Sequence, residues 1–359
     1  MVLINRQATG NVPLRAILGT YLRITKRYAL SSILLLVFYG TGTVLSDIVI
    51  KLYYRDIFDL IASTVERTEL WPAVLHIFLS MVIVMVIYNI CFRIADFLIV
   101  HAEANTMREL QNYAMEKLHR HSYNFFIGNF TGGLVAKIKR FSRSFERLYD
   151  HMVFDFWFTG IQLLGVIVVL LVIMPGLALF FTAWSMFYIA VSYVFARFRL
   201  PFDLKTAKAD SAVTGQIADI ITNILNVKMF TSGRREMRRF ANCTQKEYRA
   251  RTTAWQLSNV FHAMQGIMVA LLEIIGMYIT LRLWRDGTIT VGTVVLVQSY
   301  FAMVIGKTWN IGRAISDTFQ SLSEAEEMVA ILRTPLEVQD PRSPQPLRIR
   351  KGAISLQHI

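Results

Sequence analysis

Six runs of about 20 or more mostly apolar residues recur along the chain, at 30–50, 71–100, 152–174, 176–198, 258–281 and 289–311. A helix of about 20 apolar residues crosses a hydrocarbon core roughly 30 Å thick. The runs predict an all-α membrane protein with six transmembrane helices. The first run is too long for the apolar segment of a cleavable signal peptide and reads as a span.

The connections alternate in length and in charge. Met174-Pro175-Gly176 alone separates the third and fourth runs, and 282–288 the fifth and sixth. About 50 residues separate the second and third, and about 60 the fourth and fifth. Residues 1–30 carry five Lys/Arg and no acid, 101–151 carry eight against five acids, and 197–257 carry twelve against five. The short loop 51–70 has three Lys/Arg against four acids. Lys and Arg near span ends stay in the cytoplasm, so both termini and both long loops are expected there. The same rule explains how a chain with only 18% charged residues has a net charge of +13. With no aromatic stacking platform and no nucleic-acid motif, the basic excess belongs to membrane topology, and no nucleic acid is expected as a partner.

Neither long loop is a Gly/Ser/Pro linker. Val213, Ile217, Ile220, Ile224 and Val227 follow a 4-3-4-3 spacing, the seam of a helix packed on other helices. Met107, Leu110, Ala114 and Leu118 form a looser stripe that continues the second span. Long cytoplasmic helical extensions are therefore expected, stiff enough to carry movement between cytoplasm and membrane. The first loop must turn round at Phe125-Phe126-Ile127-Gly128-Asn129-Phe130-Thr131-Gly132-Gly133. Its aromatics read either as an exposed docking knob or as a structural cap.

These features together resemble the transmembrane domain of ABC exporters. Phe125-Phe126, five residues, then Gly132-Gly133-Leu134-Val135-Ala136-Lys137-Ile138 is similar to the family's first-loop motif. Asn226-Val227-Lys228-Met229-Phe230 with Arg239-Phe240 is similar to its second-loop motif. Gly287 to Gly292 resembles the turn before the sixth span, and Tyr300 its mid-helix tyrosine. Gly133 and Phe141 depart from the pattern, each standing where the family has Asp. The resemblance implies an N-terminal cytoplasmic segment at 1–29, the transmembrane domain at 30–320, a connector at 321–345, and the first strand of a truncated ATP-binding domain at 346–359. It implies a second transmembrane half, as homodimer or heterodimer, and ABC ATP-binding domains in cis beyond Ile359 or in trans. ATP and Mg would be bound by those domains and not by this chain. It implies coupling helices at about 122–130 and 208–217, with Phe125, Phe126, Gly132, Lys208, Asp210 and Gln216 as candidate contacts. The style of the second-loop motif suggests a bacterial inner membrane.

Polar residues at membrane depth are costly and usually face protein or a water-filled cavity. Glu273 lies inside the fifth run and Gln298 at similar depth in the sixth, so the two are placed to hydrogen-bond or to line a substrate cavity, with Gln162 a further candidate. Glu273 is alternatively a buried structural carboxyl, or the proton site of a proton-driven transporter of the same fold. No nucleophile–base arrangement stands out, so no catalytic residue is expected. His119-Arg120-His121 and His101-Ala102-Glu103 lack further ligands at metal spacing. Gly306-Lys307-Thr308 imitates the end of a phosphate-binding loop, but Phe301 occupies the position of its first glycine.

Overall fold

The computed structural model of the chain describes residues 12–63, 66–128, 131–230, 233–338 and Gly352. The described residues form helices and turns. The first rod runs from Leu14 to Ile61. It comprises α1 (Leu14–Thr25), a 3-10 turn (Lys26–Tyr28), α2 (Ala29–Thr43), a π-helical turn (Val44–Val49) and α3 (Ile50–Ile61). Then come α4 (Arg67–His119), the short α5 (Tyr123–Gly128) and α6 (Thr131–Asp150), which passes through a second π-helical turn (His151–Trp157) into α7 (Phe158–Ile173). The chain ends with α8 (Pro175–Thr222), α9 (Ile224–Met229), α10 (Gly233–Arg285) and α11 (Val291–Leu332).

Five of these rods are long and apolar enough to cross a membrane, and α11 opens with the apolar stretch Val291–Gly306. They account for the six expected spans. The rods extend well past the apolar runs. At 1.5 Å per residue the 53 residues of α4 span about 80 Å. Met174 adopts an extended conformation and Pro175 opens α8, where proline's missing N–H costs nothing. Gly287, at φ 73°, makes the turn between α10 and α11.

Two ends of the bundle are distinct. On the long-loop side, α1, α4, α6 and the end of α11 converge on Ile17, Tyr21, Leu110, Ala114, Leu118, Phe141 and Met328. Ion pairs Arg140–Glu327 and Arg147–Glu324 tie α6 to α11. On the short-loop side, α7, α8, α10 and α11 bury Leu170, Phe181, Leu272 and Tyr300 together. There Asp59 caps α11, its two carboxylate oxygens accepting from the Gly292 backbone N–H at 2.7 Å and the Thr290 hydroxyl at 2.8 Å. A Cβ at Gly292 would overlap the Arg55 carbonyl oxygen. Gly292→Ala is therefore expected to cost about 1–3 kcal/mol by forcing α3 off α11. A lower melting temperature in detergent would register it, and an unchanged one would mean that α3 yields freely.

The two expected stripes diverge. Leu110, Ala114 and Leu118 are buried as a packed stripe should be. The seam of the second loop is helical but only partly covered within the chain: Ile217 is 42% and Ile224 45% exposed, while Val213, Ile220 and Val227 are half-buried. Helix α10 covers another face of α8, where Phe195 stacks on Phe261 at 3.8 Å. The turn at Asn223 also splits the seam between α8 and α9.

Candidate functional site: polar pairs inside the bundle and the tips of its rods

The short-loop half of the bundle is apolar except for a few paired groups. Gln298 on α11 donates its amide N–H to Glu273 on α10 at 2.8 Å. The two helices come close because Gly276 lies against the Phe301 ring, leaving no room for a side chain. Glu273 is half-buried, while Leu271 and Ile274 beside it are exposed. Gln162 on α7 donates to Asp47, in the first π-helical turn, at 2.6 Å. Gln265 on α10 donates to the Tyr188 hydroxyl on α8 at 2.7 Å, both buried. Tyr300, fully buried between these pairs, directs its hydroxyl toward the Ile48 carbonyl.

Of the residues singled out in the sequence, Glu273 and Gln298 meet each other, whereas Gln162 meets Asp47. Asp47 and the Gln265–Tyr188 pair were missed. An acid within an apolar run is a visible signal, but Asp47 stands only three residues from the end assigned to its run. The helix continues to Ile61 and so places Asp47 far deeper.

The tips of the rods differ from expectation in detail. At the first, Phe125 and Phe126 are half-buried against the long-loop core, with Phe125 stacked on His121 at 4.2 Å. The exposed apolar groups there are Tyr123 and Ile127. Gly132 belongs to the first turn of α6, and Asn129 and Phe130 lie outside the described residues. At the second, Lys208, Asp210 and Gln216 form no separate short helix; they continue α8, and Asp210 pairs with Arg251 of α10 at 3.1 Å. The tip itself falls later, at α9, which exposes Leu225, Met229 and Phe230. The expected first strand, 346–359, falls outside the described residues apart from Gly352.

Beyond the second apolar run, Glu103 on α4 lies near Glu146 and Asp150 of α6. Burial, then the charges of Asp150 and Glu146, push its carboxyl up to about 7. Glu103 therefore binds its proton more tightly in the folded chain. The stability it contributes is complete below about pH 4.5 and is lost as pH rises through about 7. Glu103→Gln is expected to flatten the melting temperature between pH 5 and 8, an effect reduced by the solvent that reaches this half-buried group. A pH profile that still falls in the variant would assign the slope to other groups.

Residues 30–308 match the family described as the ABC transporter transmembrane region. The chain is 23% identical over 259 residues to an ATM1-type heavy metal exporter of Novosphingobium aromaticivorans, covering 70% of this chain and 42% of that protein. It is 21% identical over 324 residues to the ATP-binding cassette sub-family B member 6 of Mesocricetus auratus, covering 87% of this chain and 38% of that protein. The chain thus spans about two-fifths of the length of these curated relatives. Its fold is similar to the solved structure of a bacterial Atm1-family ABC exporter with ATP bound, with a TM-score of 0.72 and 20% identity, covering 90% of this chain and 56% of that one. Six apolar spans, rods that outrun the bilayer, and a match over 30–308 make this chain a member of the ABC transporter transmembrane-region family, with the exporter-type fold.

Proposed function

We propose that the chain is the permease half of an ATP-driven exporter that moves an amphipathic substrate out of the cytoplasm by alternating access. The observation that carries this reading is the continuity of α4, α8, α10 and α11, each an unbroken helix of 42 to 53 residues. A force applied at the long-loop tips tilts the same helices that line the membrane interior. The long-loop side is cytoplasmic by its basic charge, and two halves enclose the cavity. ATP-binding domains, in cis or in trans, supply the energy. The seam Val213, Ile217 and Ile220, only partly covered within this chain, then packs on the second half.

Glu273 is the anionic group of the cavity in this reading, held by Gln298 and set among apolar neighbours. Such a site takes an apolar molecule bearing a positive charge. The heavy-metal cargo named for one relative is that protein's; Glu273 with an amide partner favours an organic cation here. The test is ATP-dependent uptake into inside-out vesicles that hold the chain with its ATP-binding domains. Glu273→Gln is expected to lower uptake of a lipophilic cation about tenfold, the loss of one desolvated ionic contact, while sparing a neutral analogue. Equal loss for both would make Glu273 structural. ATP-independent uptake that follows a pH gradient would favour the proton-driven alternative.

A further inference from the structure

We propose that Asp47, Gln162 and Thr43 form a site for a small monovalent cation, an alkali ion or a hydrated proton, at the centre of the membrane domain. The depth follows from two registers. Helices α2 and α4 run antiparallel, with the Tyr39 hydroxyl on Asp96 at 2.6 Å and Gly42 against the Phe92 ring. Continuing that pairing sets Asp47 opposite Val86–Tyr88, the middle of the second apolar run. Helix α7 runs parallel to the first rod, with Gly40 beside Trp157, Asp47 bonded to Gln162, and Gly165 against Ile48. Gln162 is likewise central in the third run.

At this level two polar oxygens lack a partner among the described residues. Gln162 is 4% exposed; its N–H is spent on Asp47, and its carbonyl oxygen has no partner among the described residues. Thr43, one turn before Asp47 and fully buried, has a hydroxyl oxygen without a partner as well. A buried polar oxygen without a partner is costly to keep. Gln162 is bonded to Asp47, Thr43 stands one helical turn before it, and hard oxygens of this kind are the ligand type that alkali and other hard cations take. The set sits at the π-helical turn Val44–Val49, an irregularity common at functional sites.

The charged groups nearby leave room for such a ligand. No Asp, Glu, Lys or Arg occurs in α7 or in the α11 stretch Val291–Gly306, and in α4 none occurs between Glu69 and Arg93. Lys51 is the cation one turn after Asp47; Arg55, one turn further along α3, is paired with Asp56 at 2.6 Å. The Lys51 ammonium lies over the Tyr300 ring, 5.5 Å from the centroid, and among the described residues no ion pair joins it to Asp47. A bound cation and Lys51 therefore compete for the field of Asp47. The proposal rests on neither the ATP-driven nor the proton-driven reading.

The experiment is thermal unfolding of the purified chain in nanodiscs at fixed ionic strength, with sodium, potassium or choline chloride, and a pH series in choline. At saturating sodium or potassium the melting temperature is expected to rise by about 2–4 °C over choline. Asp47→Asn and Gln162→Met lose the rise. Lys51→Met increases the apparent affinity about tenfold or more by removing the competing charge; a purely structural role for the trio does not produce that gain. If only acidification stabilises, and Asp47→Asn removes that response, the occupant is the proton. Should Asp47→Asn not fold, Thr43→Val, close in shape, takes its place and is expected to weaken the response. A melting temperature blind to cation and pH, or a response unchanged in the variants, overturns the proposal.

Discussion

Replacing Phe141 by the aspartate usual in ABC exporters is expected to destabilise this chain by more than about 4 kcal/mol. Phe141 is fully buried on α6 in the long-loop core. Its ring stacks on Tyr21 at a centroid distance of 5.1 Å, and the Tyr21 hydroxyl donates to the Phe141 carbonyl oxygen at 2.9 Å. Removing a buried phenyl group costs about 3–5 kcal/mol in lost transfer and cavity. An aspartate also places a carboxyl in this apolar core, a further 1–3 kcal/mol or a protonation. Phe141→Leu keeps the burial and is expected to cost far less. Limited proteolysis in detergent separates the outcomes: rapid cleavage near α1 and α6 in Phe141→Asp, and near-native resistance in Phe141→Leu. Native resistance in the aspartate variant would mean that the core opens to water and that the buried stack contributes little.

The same residue shows where the sequence was legible. The apolar runs gave the spans, because the bilayer imposes one length and one composition on every crossing helix. The stripe of Leu110, Ala114 and Leu118 gave a buried helix face, because its partners α1, α6 and α11 belong to the same chain. Phe141 could be seen only as a departure from a pattern; that it faces Tyr21, 120 residues away, depends on a tertiary register that no local spacing encodes. The Glu273–Gln298 bond was legible because a short turn joins α10 to α11, so depth in one run fixes depth in the next. Gln162 stood out as a polar residue in an apolar run, without its partner. Lys51, Arg55 and Asp56 end the first apolar run while its helix continues, so the run alone does not show where the rod ends. The seam on α8 reads as packed in sequence and stands open in the chain, since a spacing reports that a face is apolar and not which molecule covers it.

That open face leads to the second large effect. Helix α8 runs about 36 Å from the end of the fourth apolar run to its tip, beyond reach of the bilayer. There Ile221, Leu225, Met229 and Phe230 are exposed together, with Phe230 at 77%. Clustered apolar groups far from lipid mark a protein contact, and in the proposed exporter the partner is an ATP-binding domain. Leu225→Asp with Phe230→Asp is expected to reduce ATP-driven transport by about thirtyfold or more, the loss of a contact worth at least 2 kcal/mol. The melting temperature of the chain should stay within a degree or two, because neither side chain packs against its core. Transport in proteoliposomes and the ATPase rate of the assembly would be read side by side, with loss of transport exceeding loss of hydrolysis as the sign of uncoupling. A matched pair, Lys208→Glu and Gln216→Ala, tests the site implied by resemblance further up α8. If that pair uncouples transport and the tip pair does not, the partner grips the side of the rod. If the tip pair alone uncouples it, the force enters through α9 and travels the full length of α8 and α10 to Glu273.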